Sequence, residues 1–246
     1  MTAIPDKQTN STDFAVTALR DRIFRGAIAP GTRLLEVPLA KDLGISRTPL
    51  RQALLELERE GLVERKTTTG FVVRSLTFSD VCDAIDLRGL LEGAAARRAA
   101  ERGVPDAMIA QMNETLNRID TALTGAPGKF DLTGYADGNR DFHHLIVDAA
   151  QSRVLRDEIA RAETLPFSSP SAFLLSQRDD LPFQRSLLTS QAQHRAVVDA
   201  ITRREGARAE NLMREHARIA LTNLEYIMGL ERSARQQVPG LALVVD

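Results

Sequence analysis

Three histidines carry the metal chemistry this chain can offer. His143 shares a helical face with Asn139, Ile146, Val147 and Ala150; His194 lies with Val197, Val198 and Ile201; His216 lies with Leu212, Met213, Ile219 and Ala220. Each ring therefore belongs to the apolar, inward face of a different helix. A single buried imidazole is most often a structural group with satisfied hydrogen bonds. Three on the inward faces of one bundle read better as ligands of a divalent metal. Neutral imidazole commonly binds Zn and also suits Ni, Cu and Fe, and three His with an open position match the ligand count of a catalytic zinc centre. His144 keeps Arg140, Asp141 and Asp148 for company and is expected in solvent.

A second cluster is cationic and lies in Gly44-Ile45-Ser46-Arg47-Thr48-Pro49-Leu50-Arg51. Ser46 is suited to cap a helix, and Pro49 fits an early helical position where a missing N–H costs little. Leu50, Ala53, Leu54 and Leu57 then recur at three- and four-residue steps and face a core. Arg47, Thr48 and Arg51 fall on another face, at the helix entrance. Cations are poor partners for that end of the helix dipole, so two of them there imply that the entrance meets something anionic. A recognition helix in a DNA major groove meets that need, with Arg paired to guanine.

These residues need elements to hold them. From Asp13, the apolar residues Phe14, Ala15, Ala18, Leu19, Ile23 and Phe24 follow helical spacing up to Gly26. A short helix with Leu39, Ala40 and Leu43 stops at Gly44, and the helix from Ser46 follows at once, which is a helix-turn-helix. Residues 62–65 and 70–73 are β-prone runs around a polar tip and predict a hairpin, the wing of a winged helix-turn-helix. There Lys66 and the threonines, Thr68 among them, are placed to touch phosphates, and Gly70 permits close approach of the backbone. The rest predicts helices over about 79–102, 104–123, 132–150, 152–162, 182–203 and 205–232, with Ser79-Asp80 as the cap of the first. The stretch 165–180 is irregular or partly helical, and the apolar end Leu241-Ala242-Leu243-Val244-Val245 has no evident place beyond packing on a partner chain. The fold expected is mainly α: a winged helix-turn-helix of three helices plus a small β-hairpin over 13–75, a linker at 76–78, an all-α helical bundle over 79–235 and a tail over 236–246, with 1–12 disordered.

Composition agrees with this plan. The 246 residues are 43% hydrophobic and 4% aromatic, without Trp, which favours a helical core of Leu, Ala, Ile and Val. Residues 1–75 hold 12 of the 32 Lys+Arg and 9 of the 33 Asp+Glu, so a head of +3 precedes a body of −4. That asymmetry suits DNA contact by the head alone. With Cys82 as the single cysteine, no secretory signal in the polar start and no apolar run near the ~20 residues of a membrane span, a soluble cytoplasmic protein is expected.

The block Ile23-Phe24-Arg25-Gly26, Pro30-Gly31-Thr32-Arg33-Leu34, Leu39-Ala40, Gly44 to Arg51 and Glu60-Gly61-Leu62-Val63 resembles the DNA-binding domain of GntR-type bacterial transcription regulators. The resemblance implies DNA contacts by Arg33, Arg47, Thr48, Arg51 and the wing residue Gly70; Ser46, at the helix entrance, and Lys66 and Thr68, at the wing tip, are expected to join them. Gln52 stands where a Glu is usual, a change expected to touch packing or support rather than base reading. Phe142-His143, the run His194 to Ile201, and His216 are similar to the FCD effector-binding domain of the FadR branch. That resemblance implies a metal held by Asn139, His143, His194 and His216, with Zn expected and Ni or another transition metal as alternatives. Asn139 departs from the Asp of many relatives. Its neutral amide is a weaker ligand, which leaves either a lower affinity or an anionic effector completing the shell. Arg88 matches an effector-facing Arg, against the bland reading of a surface pair with Glu92 at i, i+4. The expected protein is no enzyme but a homodimeric repressor that binds a palindromic operator in double-stranded DNA and responds to a small organic acid. The rival reading is a helical metalloenzyme whose three-His centre activates water.

Overall fold

The computed structural model describes residues 7–66, 70–125, 129–168, 181–229 and 240–245. It is mainly helical, with nine α-helices among the described residues, and it divides into two compact units. The first unit runs to Val81 and takes in Thr164–Pro166 and the chain end; the second runs from Cys82 to Glu163 and resumes at Phe167.

In the first unit α1 (Lys7–Phe24) packs on α3 (Arg47–Arg59). The contact is made by Ala15, Leu19 and Ile23 on one side and Leu50, Ala53, Leu54 and Leu57 on the other, all fully buried. Between them α2 (Glu36–Leu43) ends at Gly44, whose left-handed backbone (φ 65°) lets its N–H bond back to Ala40 and Lys41. Strands β1 (Arg33–Leu34), β2 (Val63–Lys66) and β3 (Gly70–Val73) form an antiparallel sheet in the order β1-β3-β2, in register from Val63↔Val73 to Lys66↔Gly70. This is the winged helix-turn-helix, with Phe71, Val72 and Val73 buried. Helix α1 starts at Lys7, inside the stretch expected to be disordered. Once an amphipathic helix has nucleated, each further residue adds a hydrogen bond at low cost, even where it is polar.

Two other expectations are corrected in this unit. Residues 76–78 are not a linker: Leu76–Thr77 form β4, and α4 (Phe78–Arg102) begins directly after it. The start of the helix is capped by Thr77 together with Asp80; Asp80 is part of the cap as expected, and Thr77 takes the place expected of Ser79. The Asp80 N–H donates to Thr77 Oγ1 at 3.1 Å, and the Thr77 N–H donates to Asp80 Oδ2 at 2.7 Å. That bond and the one from the Thr77 hydroxyl hold the Asp80 carboxyl below its usual range. The apolar chain end packs on its own head. β5 (Val244–Val245) pairs in parallel with β4, a 3-10 turn at Leu241–Leu243 buries Leu241 and Leu243, and the Gly240 N–H donates to the Phe24 carbonyl at 2.9 Å.

The second unit is an all-helical bundle built from α4 beyond Cys82, α5 (Asp106–Ala122), α6 (Leu132–Ala149), α7 (Arg153–Glu163), α8 (Leu181–Thr202) and α9 (Gly206–Met228). Of the stretch expected to be irregular, residues 169–180 lie outside the described residues. Apolar residues at three- and four-residue steps bury Met112, Leu116 and Ile119 of α5, Phe142 and Ile146 of α6, Val197 and Ile201 of α8, and Met213 and Ile227 of α9. Two glycines set how closely the helices approach. A Cβ at Gly138 would lie 2.6 Å from Ile119 Cγ1, and one at Gly89 would lie 2.7 Å from Ala217 Cβ. Each sits one residue from a polar side chain of the interior, Asn139 and Arg88 respectively, and Ala217 follows His216. Among the described residues no helix is long and apolar enough to cross a membrane.

The added methyl of Gly138→Ala has no room unless α6 moves off α5, so the variant is expected to lose about 1–3 kcal/mol. Urea unfolding of the full chain measures this as a lower midpoint with an unchanged slope.

Candidate metal centre and nucleic-acid interface

The bundle brings together three rings from three helices. His194 Nε2 lies 3.2 Å from His216 Nε2, and His216 Nε2 lies 3.3 Å from His143 Nε2. One donor atom from each lies within 4.8 Å of the others, and all three residues are buried. Phe142 lies against His194, ring centroids 4.3 Å apart, and walls that side. Burial pushes both His194 and His216 well below the ordinary histidine range, with the neighbouring rings adding to it. Both are therefore neutral at pH 7 and keep a lone pair for a metal. This donor set fits a borderline transition ion such as Zn. Asn139 is buried one turn before His143 on the same face of α6. His144 is exposed, as expected.

Arg88 overturns the bland alternative of a surface pair. Arg88 and Glu92 face into the bundle, with side chains 2% and 1% exposed, and Arg88 Nη1 donates to Glu92 Oε2 at 2.9 Å. Glu92 Oε1 lies 2.9 Å from His143 Nδ1. Burial alone would raise the Glu92 carboxyl, but Arg88 and then His143 outweigh it and bring it down to about 2. The buried Nε–H of Arg88 meets no acceptor among the described residues. Leu87 and Leu90 of the same helix point outward instead, 44% and 48% exposed.

Two residues close to the rings were not singled out from the sequence. Glu92 was weighed only as the partner of a surface pair. Gln191, three positions before His194 and so on its face, bonds that ring's Nδ1 at 3.1 Å. The spacing is the signal that was available for both, and it is a weak one because polar neighbours at i, i+3 and i, i+4 are common on exposed faces.

In the first unit the entrance of α3 is exposed. The side chains of Arg47 and Arg51 are 67% and 63% exposed, and Thr48, Ser46 and Arg33 are exposed too. Glu36, at the start of α2, supplies an internal anion for both guanidinium groups, 3.2 Å from Arg47 and 3.9 Å from Arg51. Ser46 holds the N-cap position with extended backbone, but its hydroxyl makes no cap bond; it is solvated there. Gln52 is exposed, so its departure from Glu does not alter core packing. On the wing Lys66 pairs with Glu64 at 3.0 Å, Gly70 has φ 82°, and Thr68 lies outside the described residues.

Comparison with known proteins gives consistent matches. Residues 11–73 match the family described as bacterial regulatory proteins, gntR family, and residues 83–218 match the FCD domain. The chain is 28% identical to YdhC of Bacillus subtilis (strain 168), an uncharacterized HTH-type transcriptional regulator, over 82% of this chain and 75% of that one. It is 29% identical to a probable D-xylose utilization operon transcriptional repressor of Paenarthrobacter nicotinovorans, over 79% and 80%, and 26% identical to the HTH-type transcriptional repressor RspR of Escherichia coli (strain K12), over 80% and 82%. In fold it is similar to E. coli McbR/YncC, with a TM-score of 0.58 at 19% identity over 92% of this chain and 97% of that one. The three relatives matched by sequence are named as transcription regulators and not as enzymes, and a three-His centre does not make this chain an exception. Glu92, the carboxylate bonded to His143, is engaged on both oxygens and is no ready base.

Removing one member of a buried ion pair strands the other. Arg88→Met is expected to cost on the order of 3 kcal/mol, read as a lower urea midpoint of the ligand-free chain.

Proposed function

Because this chain belongs to the GntR family of bacterial regulatory proteins, with an FCD domain as its second part, it is a bacterial transcription regulator, and we propose that it is a repressor controlled by a small organic acid bound in a metal-containing helical bundle. FCD domains commonly bind metal. The observation that carries the proposal is the convergence of three buried Nε2 atoms beside a buried guanidinium with an unmet N–H. An apolar interior with a metal and a spare cationic donor suits a carboxylate, which would meet both at once. His143, His194, His216 and Asn139 would hold the ion. It would supply Lewis acidity toward the carboxylate of the effector, and Arg88 would donate to the same group. That some relatives are named repressors supports the sign of control.

In the head, Arg47, Thr48 and Arg51 would enter the major groove, with Arg33, Ser46, Lys66, Thr68 and Gly70 on phosphates or the adjacent groove. Glu36 favours this reading over one in which α3 is merely solvated. It holds both guanidinium groups in place without burying them, so they can exchange one anion for another. A palindromic operator and a homodimer follow from the two-fold logic of such heads. The outward Leu87 and Leu90 offer apolar surface for a second copy. The effector would act by binding one arrangement of the heads more tightly than the other, since equal affinity shifts nothing.

Arg47→Ala and Arg51→Ala are each expected to weaken binding to the specific operator by ~1–3 kcal/mol and to relax base preference. Lys66→Ala should weaken all sequences alike and lower the salt slope by about 1. Gel-shift or anisotropy titrations at two salt concentrations check both, and unchanged operator affinity in both arginine variants would reject the recognition-helix assignment. Elemental analysis should find a bound divalent metal in the full chain that is lost in His143→Ala with His194→Ala; full metal content in that double variant would place the ligands elsewhere.

A further inference from the structure

The side-chain amide of Gln191 can face only one way. Its NH2 donates to the Leu116 carbonyl at 2.8 Å and to Asp120 Oδ1 at 2.7 Å. A backbone carbonyl is an acceptor only, and so is an ionised carboxylate. Turning the amide end for end would set its oxygen against two acceptors. Its Oε1 therefore faces His194 Nδ1, 3.1 Å away, and Oε1 can only accept. The proton of the neutral His194 ring must then sit on Nδ1, and the lone pair on Nε2, the atom aimed at His216. Glu92 has the same relation to His143: one oxygen takes Arg88 and the other takes the Nδ1–H of the ring, so that in the neutral ring Nε2 carries the lone pair. His216 has no such partner. Its Nδ1 is buried and bonded to nothing among the described residues.

We infer that Gln191 is a positioning residue of the metal centre, which fixes His194 as its Nδ1–H tautomer and so makes Nε2 the ligand atom, with Glu92 doing the same for His143 and His216 left as the ring that exchanges tautomer when metal binds. The inference rests on the proposed metal centre. It is specific to this arrangement: one anchor is a neutral amide tied to α5, the other a carboxylate tied to α4. In metal-free protein His216 carries its proton on Nε2 and donates it to one of the two bare nitrogens 3.2 and 3.3 Å away. Metal capture requires that proton to move to Nδ1 or leave. The energetic resistance to binding is thereby concentrated on His216, and the other two rings are set in advance.

Long-range proton–nitrogen NMR of the imidazole rings tests this on the full chain, stripped of metal and labelled with 15N-histidine at pH 7.5. The expected result is the Nδ1–H tautomer at His194 and His143 and the Nε2–H tautomer at His216; an Nε2–H tautomer at His194 overturns the inference without any substitution. Gln191→Met keeps the volume and removes the acceptor. It is expected to release the His194 tautomer and to weaken Zn2+ binding about 10- to 100-fold in competition with a chelating dye. Asp120→Ala, which leaves the Leu116 bond in place, should keep the tautomer and stay within about threefold of the parent affinity, an outcome a merely structural network would not give. Parent-like Zn2+ affinity in Gln191→Met overturns the positioning role in a chain that does bind metal. No Zn2+ binding by the parent chain instead overturns the metal centre itself, whatever its tautomers.

Discussion

Burial of polar groups inside an apolar bundle is the constraint on which the second unit depends. Three imidazoles, a guanidinium, a carboxylate and three amides lie where water does not solvate them, and each uncompensated group would cost about 1–3 kcal/mol or more. The structure meets the cost by linking them. Arg88 is bound to Glu92, Glu92 to His143, and Gln191 joins His194 to the carbonyl of Leu116. Among the described residues, one N–H of Arg88 and Nδ1 of His216 are left without a bond. An unmet guanidinium N–H close to a cluster of imidazole nitrogens is what the proposed metal and effector would use.

The first unit applies the opposite solution to the same charges. Arg47 and Arg51 stay in water, where a guanidinium is cheap to keep, and Glu36 steadies both. Surface pairs of this kind contribute at most about 1 kcal/mol, so the arrangement is easily exchanged. In the bundle the Arg88–Glu92 pair is worth much more to keep intact, because breaking it strands a buried charge. The same two residue types thus serve as a replaceable contact in one place and a fixed part of the interior in the other, and solvent exposure is the difference.

The sequence made the helices legible because their apolar residues recur at 3.6-residue spacing, and it made the wing legible through Gly70 and the β-branched runs beside it. The three inward histidines followed from the same periodicity. Helix α4 was read less well. Its apolar residues include Leu87, which points outward, while Arg88 and Glu92 point in. No hydropathy pattern can assign a charged pair to the interior when its partners come from other helices. Gln191 was missed for the same reason, since its bonds go to Leu116 and Asp120, far along the chain. The caps show a smaller limit: Ser46 has the right residue type and makes no cap bond, and Thr77 makes the bond that Ser79 was expected to make. The apolar end could not be placed because its partner strand, Leu76–Thr77, is only two residues long and carries no signal of its own.

That short parallel pairing has a consequence for the order of events during synthesis. The head is made first, yet its sheet at Leu76–Thr77 and the apolar cover over Gly26 are completed by residues 240–245. Parallel pairing between such distant segments is slow because the loop must close before any contact rewards it. On the ribosome the nascent head therefore waits, with Leu76 and the end of α1 uncovered, until residues 240–245 have emerged.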